Sequence, residues 1–130
     1  MAEYLLDTHA CLYALAAPKK LGRRARRALD QADQKGHAVW LPAAVAAEVV
    51  ILKELGRSEL GLPALRTAFE NSCWCFLPLD LRQIDEFAGL SAIRDPFDRL
   101  IVAAARSVGA RLITRDATLA ELGLVDIIWS

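Results

Sequence analysis

The chain has 130 residues, 55% of them hydrophobic, which suits one domain with a sizeable buried core and argues against disorder. Its 16 basic and 16 acidic residues cancel, which argues against a protein that binds nucleic acid over its whole surface. The longest apolar run, residues 41–52, contains Glu48 and is too short to cross a membrane, and the N-terminus lacks the features of a signal peptide.

Short apolar segments alternate with longer helix-forming segments along the whole chain. The predicted strands cover residues 4–6, 38–41, 75–77, 111–114 and 125–129. The predicted helices cover residues 8–16, 21–34, 42–55, 63–71, 81–90 and 96–108. Proline stands at or near the start of three of these helices, and glycine stands just past several of their ends.

This alternation predicts an α/β fold with three layers, in which helices cover both faces of a parallel sheet of four to five strands. The sequence has no internal repeat, linker or low-complexity segment. We therefore expect a single domain over residues 1–130.

Two aspartates follow predicted strands. Asp7 comes directly after the first strand, and Asp116 comes two residues after Thr114, the end of the fourth. Ligands of open parallel sheets bind beyond the carboxyl ends of the strands, so both acids are expected on the same edge. Aspartate is also a favoured N-cap, and either residue could instead cap a helix that starts at the next position.

A third acidic group opens the helix at residue 96. Asp95 fits the N-cap and Pro96 the first helical position, so we interpret Asp95 as a capping residue. Asp98 shares a helical face with Ile101 and Val102, which predicts that it points inward and not toward open water.

Glu48 lies within an apolar helix and has no basic residue three or four positions away. A buried carboxylate without a partner is costly, so a compensating group is expected. A divalent cation shared with other carboxylates would compensate the charge, and so would a distant arginine or a position lined by solvent.

Four acids without histidine or cysteine ligands form a set of hard oxygen donors, which suits Mg²⁺, or Mn²⁺ as a substitute, and not zinc. Carboxylate-held magnesium typically acts on phosphates. The residues alone thus predict Mg²⁺-dependent phosphoryl chemistry at Asp7, Glu48, Asp98 and Asp116.

The three cysteines, Cys11, Cys73 and Cys75, match neither a disulfide framework nor a zinc site, and we interpret them as free thiols of a cytoplasmic protein. Six basic residues crowd residues 19–27. Such a run is either a solvated helix face or a contact for a phosphate backbone.

Four segments occur in a characteristic order along the chain. They are Leu-Leu-Asp-Thr-His-Ala at 5–10, Glu48 with Lys53 and Leu-Gly-Arg at 55–57, Arg-Asp-Pro-Phe-Asp-Arg-Leu at 94–100, and Thr-Arg-Asp at 114–116. In this order they resemble the PIN-domain proteins, and most closely the VapC-type toxins of prokaryotic toxin–antitoxin pairs. The resemblance covers nearly the whole chain, and residues 94–100 are its most specific part.

The resemblance implies a Mg²⁺- or Mn²⁺-dependent endoribonuclease that leaves a 3′-hydroxyl and a 5′-phosphate. It assigns the core acids to Asp7, Glu48 and Asp98, the fourth to Asp116, and a supporting hydroxyl to Thr114. It also implies a homodimer that a cognate antitoxin neutralises. Arg99 is a weaker candidate for contact with the RNA backbone.

The sequence departs from the family where Leu-Pro-Ala at 41–43 stands in place of a common serine after the second strand, and where Ala47 stands in place of an aromatic residue before the glutamate. Substrate and partner preference are therefore left open. The alternatives are a PIN-fold binding module that no longer cleaves and a DNA-directed nuclease. A phosphoacceptor receiver domain would need paired acids after the first strand, and an aspartate-nucleophile phosphatase would need a second aspartate where His9 stands.

Overall fold

The computed structural model describes residues 3–130 and contains five strands and seven α-helices within them. The strands are β1 Tyr4–Leu6, β2 Val39–Pro42, β3 Trp74–Leu77, β4 Arg111–Ile113 and β5 Ile127–Ile128. The helices are α1 Thr8–Ala16, α2 Arg23–Lys35, α3 Ala43–Glu54, α4 Leu62–Asn71, α5 Leu81–Ala88, α6 Pro96–Val108 and α7 Ala117–Leu122. A short 3-10 helix, Pro18–Lys20, joins α1 to α2.

All strand pairs in the sheet are parallel, and the strand order is β3-β2-β1-β4-β5. β1 is central and pairs with β2 on one side and with β4 on the other. The predicted α/β/α architecture with a parallel sheet is confirmed. Because β1 and β4 are neighbours, residues that follow them come together at one edge.

The centre of the sheet is strongly apolar because helices cover both of its faces. Leu5 and Leu6 of β1 and Leu112 and Ile113 of β4 are completely buried. Near-continuous apolar strands of this kind are typical of parallel sheets. The sheet and helices share one cluster of buried hydrophobic residues, which holds the strand ends in position.

Several element bounds differ from the predictions by one or two residues. Pro42 was predicted to start α3, but it is the last residue of β2 and pairs with Leu77. Its backbone is extended, with φ −74° and ψ 157°, and the proline ring restricts φ only, so either assignment suits the ring. β4 ends at Ile113, and β5 covers only Ile127–Ile128 of the five residues predicted.

The cysteines are free, as predicted. Burial raises the pKa of the Cys11 thiol to about 12, so this side chain behaves as part of the core. Across residues 3–130, each helix is too short or too polar to cross a membrane.

Candidate active site

The carboxyl ends of β1 and β4 open into one acidic cavity of about 430 Å³. Asp7 and Asp116 reach it from these strand ends, Glu48 reaches it from α3, and Asp98 reaches it from α6. The structure thus brings together all four acids proposed from the sequence, although they are separated by as many as 109 positions in the chain. The cavity is lined by Asp7, Thr8, His9, Glu48, Asp95, Asp98, Thr114, Arg115 and Asp116.

Asp7 caps a helix and lines the cavity at the same time. Its Oδ1 accepts a hydrogen bond of 2.8 Å from the backbone N–H of Ala10, in the first turn of α1. Burial raises the pKa of this carboxyl above its usual range, although a side-chain hydrogen bond with Thr114 opposes the shift. Because a carboxylate has two oxygens, capping leaves acceptor capacity that can face the cavity.

Asp116 and Thr114 form a second well-ordered corner. Asp116 Oδ1 accepts a 3.1 Å hydrogen bond from the N–H of Leu119 and so caps α7. The Thr114 hydroxyl accepts a 3.1 Å bond from the N–H of Asp116 and is almost completely buried. The loop after β4 is therefore held by its own side chains.

Glu48 is partly exposed at the cavity wall, and the hydroxyl of Thr8 donates a hydrogen bond to its Oε1. The position of Glu48 is thus partly lined by solvent, as one of the alternatives expected, and the Thr8 hydroxyl is a further partner. Thr8 is itself buried and stands in the first turn of α1, next to Asp7. One turn of helix therefore orients two of the acids.

Asp98 lies among the other acids of the cavity. Burial first, and then the nearby charges of Asp95, Asp116, Glu48 and Asp7, together raise the pKa of Asp98 to about 6. Asp95 caps α6 as predicted, because its Oδ1 accepts a 3.0 Å hydrogen bond from the N–H of Asp98. Asp95 also lines the cavity, so the site contains five carboxyl groups.

Arg99 lies outside the cavity lining. Its Nε donates a 2.9 Å hydrogen bond to the carbonyl of Phe87, and its guanidinium lies 4.1 Å from the centre of the Phe87 ring. Both contacts join α6 to the end of α5. Arg115 and His9, which the sequence analysis did not select, line the cavity instead. The closeness of Arg115 to Asp116 and of His9 to Asp7 in the sequence was the signal from which their place in the cavity could have been predicted.

A family model described as the PIN domain matches residues 4–124. The chain belongs to the PIN domain family. No curated protein sequence matches it.

Solved structures of other proteins are similar in fold to this chain over almost its whole length. VapBC2 from Rickettsia felis, bound to a DNA fragment from its promoter, has 17% identity and a TM-score of 0.73, and the alignment covers 98% of this chain and 99% of that chain. DNA-bound VapBC from Salmonella typhimurium has 15% identity and a TM-score of 0.70, with 98% of each chain covered. A toxin–antitoxin complex from Klebsiella pneumoniae has 18% identity and a TM-score of 0.62, with 96% and 95% covered. At these identities the similarity supports the fold alone.

The PIN-domain acids fit a hard divalent cation by chemistry, because all of them offer oxygen donors and they line one cavity. In the arrangement described for residues 3–130, no group of three His, Cys, Asp or Glu side chains is placed to hold a metal ion. Like charges keep the carboxylates apart, and a hydrogen bond from Ala10, Leu119 or Thr8 engages one oxygen of Asp7, Asp116 or Glu48 and leaves the other oxygen available.

The raised pKa of Asp98 predicts a pH-dependent cost to folding in the metal-free protein. The folded chain binds the proton of Asp98 more tightly than the unfolded chain does, and this difference stabilises the fold at low pH. The stabilisation is complete below the unfolded pKa and is lost as pH rises through about 6. Asp98→Asn should therefore raise the free energy of unfolding at pH 8 by about 1 kcal/mol, after allowance for the partial exposure of the side chain.

Urea unfolding in EDTA at pH 8 and at pH 4 tests this prediction. The difference between Asp98→Asn and the wild type should be present at pH 8 and should shrink at pH 4, where both side chains are neutral. Asp80 caps α5 and lies outside the cavity, so Asp80→Asn serves as the control. Equal stability of Asp98→Asn and the wild type at pH 8 would contradict the prediction.

Proposed function

We propose that this PIN domain is a Mg²⁺-dependent endoribonuclease and the toxin of a type II toxin–antitoxin pair. The observation that carries the proposal is the convergence of Asp7, Glu48, Asp98 and Asp116 on one cavity beyond the strand ends. The matched structures include a toxin–antitoxin complex, which supports the biological setting. The cytoplasmic location remains a prediction.

In this proposal the four acids hold Mg²⁺, or Mn²⁺ as a substitute. Mg²⁺, when bound, supplies the Lewis-acid chemistry for phosphodiester hydrolysis, and this leaves a 3′-hydroxyl and a 5′-phosphate. Asp7 and Glu48 are held by α1, through the N–H of Ala10 and the hydroxyl of Thr8. Thr114 orders the loop that carries Asp116. Arg115 is the cation of the cavity wall and is suited to a phosphate oxygen.

The proposed protein partners are a cognate antitoxin and a second copy of the chain. Two groups of exposed large hydrophobic side chains, each close together in the chain, support protein contacts. One group lies on or just after α3, and the other lies between β3 and the middle of α5. The two groups are Val50, Ile51 and Leu55, and Leu79, Leu81 and Ile84. Light scattering of the isolated chain would establish whether it is a dimer.

The activity is tested by incubating the isolated chain with total cellular RNA in Mg²⁺ and, in parallel, in EDTA. Cleavage that needs the metal and leaves 5′-phosphate ends is the expected result. A single-stranded DNA substrate tests the alternative of a DNA-directed nuclease. Binding of RNA with no cleavage in Mg²⁺ or Mn²⁺ would favour a catalytically silent module and contradict the proposal.

Thr8→Val should lower the rate of RNA cleavage by about tenfold, because it removes the hydroxyl that orients Glu48 without changing the size of the side chain. Thr8→Ser retains the hydroxyl and should restore most of the rate. Thr67→Val on α4 removes a hydroxyl that bonds only to the Pro63 carbonyl and is the matched control. A rate for Thr8→Val within twofold of the Thr67→Val rate would show that the hydrogen bond does not support catalysis.

A further inference from the structure

Three arginines from two elements line one concave part of the surface. Arg24 and Arg27 belong to α2, and Arg111 is the first residue of β4. They line two adjoining cavities of about 300 and 130 Å³, which share Arg24, Arg111 and the buried side chain of Ile128. Among residues 3–130, neither cavity shares a residue with the acidic cavity, which lies beyond the other end of β4. These three arginines, the arginine cluster, are therefore separate from the carboxylates.

Most of the positive charge of the arginine cluster is uncompensated. Of the described residues that line the two cavities, Asp126 alone carries a carboxylate. Two ion pairs are found in the part of the chain that the structure describes, and neither involves Asp126 or an arginine of the cluster. All three arginine side chains are exposed. The cluster thus presents three guanidinium groups and one carboxylate, which leaves two positive charges in excess.

The arginines of α2 stand where positive charge is unfavourable for the helix. α2 begins at Arg23, with a glycine N-cap and no acidic residue in its first turn. Arg23 and Arg24 therefore lie at the positive end of the helix dipole. Arg24 and Arg27 are three positions apart and so are neighbours on the helix surface, where like charges repel. A bound anion would offset both costs, and local rules that a sequence breaks often mark a functional site.

The chemistry and the spacing of the arginine cluster suit two linked phosphoryl groups. A planar guanidinium can donate two parallel hydrogen bonds to the oxygens of one phosphate. Because the two cavities share Arg24 and Arg111, groups that occupy both must lie close together. In a diphosphate a single oxygen bridges the two phosphorus atoms, whereas a sugar separates successive phosphates of a nucleic-acid strand. The excess of positive charge likewise favours a multivalent anion.

We propose that Arg24, Arg27 and Arg111 form a binding site for a small molecule with a diphosphate group, which is either inorganic pyrophosphate or the phosphate end of a nucleotide. In this site Arg24 and Arg111 contact both phosphoryl groups, and Arg27 contacts the one in the smaller cavity. Two members of the basic run at residues 19–27 thereby acquire a role as phosphate contacts. The inference does not rest on the nuclease proposal, because its residues are distinct from the four acids.

Calorimetric titration of the full chain with pyrophosphate in a metal-free buffer tests the site. Without a metal ion, the carboxylates of the acidic cavity repel the anion. Pyrophosphate should bind at least about tenfold more tightly than sulfate at equal ionic strength, because sulfate offers one tetrahedral group and not two. Arg24→Gln and Arg111→Gln should each weaken pyrophosphate binding about tenfold, since each removes charge-assisted hydrogen bonds. Arg24→Lys keeps the charge without the forked donor geometry and should recover only part of the affinity.

Arg66→Gln removes an exposed arginine of α4 outside both cavities, so it is the matched control and should bind like the wild type. A nucleoside diphosphate distinguishes the two sources of the ligand. Tighter binding than that of pyrophosphate assigns the site to a nucleotide, and equal or weaker binding assigns it to inorganic pyrophosphate. The proposal is overturned if pyrophosphate binds no more tightly than sulfate, or if Arg24→Gln and Arg111→Gln match Arg66→Gln in affinity.

A nucleic-acid backbone is the competing occupant of the arginine cluster, and a short single-stranded RNA in the same buffer tests it. If RNA binding weakens in Arg24→Gln and Arg111→Gln while pyrophosphate does not bind the wild type, the cluster contacts nucleic acid and the diphosphate site is overturned. Pyrophosphate that binds the wild type and displaces no RNA supports a site of its own.

Discussion

Asp98→Asn and Asp7→Asn are each expected to reduce metal-dependent RNA cleavage by about 100-fold or more while leaving the protein folded. Both substitutions remove one negative charge from the cavity that the four acids share, with almost no change in size. Burial and the charges of the other acids together raise the pKa of Asp98, so its carboxyl lies within reach of their charges. Loss of one carboxylate should therefore weaken Mg²⁺ binding and the activity that depends on it.

Folding is not expected to confound this measurement. Asparagine caps a helix about as well as aspartate does, so Asp7→Asn keeps the hydrogen bond from Ala10. Asp80→Asn makes the same chemical change at the cap of α5, where Asp80 Oδ1 accepts a 3.0 Å bond from Gln83, and should retain full activity. Cleavage rates measured on a defined RNA would refute the site if Asp98→Asn kept more than a tenth of the wild-type rate.

The placement of two acids at one edge of the sheet could be predicted from the sequence, because parallel strands all run in one direction. Once residues 4–6 and 111–114 were assigned as strands, Asp7 and Asp116 had to lie at carboxyl ends. The order of the strands did not follow from that pattern. The central position of β1, between β2 and β4, places the two acids side by side.

Side-chain partners across elements were beyond the reach of the sequence. Helical periodicity gives the face on which Glu48 and Asp98 lie, but it does not identify the group on the facing element. The hydroxyl of Thr8, 40 positions away from Glu48, is such a group. Arg99, a candidate for contact with the RNA backbone, shows the same limit, since in the structure it contacts Phe87 and does not line the cavity.

From the sequence, capping and site formation are alternative roles for the aspartates at the strand ends, and the structure combines them. Asp7, Asp95 and Asp116 each accept a hydrogen bond from the first turn of a helix, and each lines the acidic cavity. Capping fixes one carboxylate oxygen and so the direction of the other. We infer that the caps preorganise the site, which explains why short aspartates and not longer glutamates stand at these three positions.

Gly22→Ala is expected to destabilise the protein by about 2–3 kcal/mol, through overpacking and the loss of a hydrogen bond. A Cβ at this position would lie 2.2 Å from the carbonyl oxygen of Trp129 and 2.6 Å from its carbonyl carbon. That oxygen accepts a 2.9 Å hydrogen bond from the N–H of Ala25, in the first turn of α2. Gly22, the N-cap of α2, has no side chain that could accept this hydrogen bond in place of the Trp129 carbonyl.

Backbone atoms are the obstacle, so a change of rotamer cannot relieve the clash. The segment after β5 must move away from α2, and the midpoint of thermal unfolding should fall by about 10 °C. Gly89→Ala is the matched control, because its Cβ would meet nothing closer than the Glu86 carbonyl oxygen at 3.7 Å. Its backbone φ of −89° suits alanine, so its stability should stay within about 0.5 kcal/mol of the wild type. Equal melting temperatures for the two variants would show that the contact between α2 and Trp129 does not support the fold.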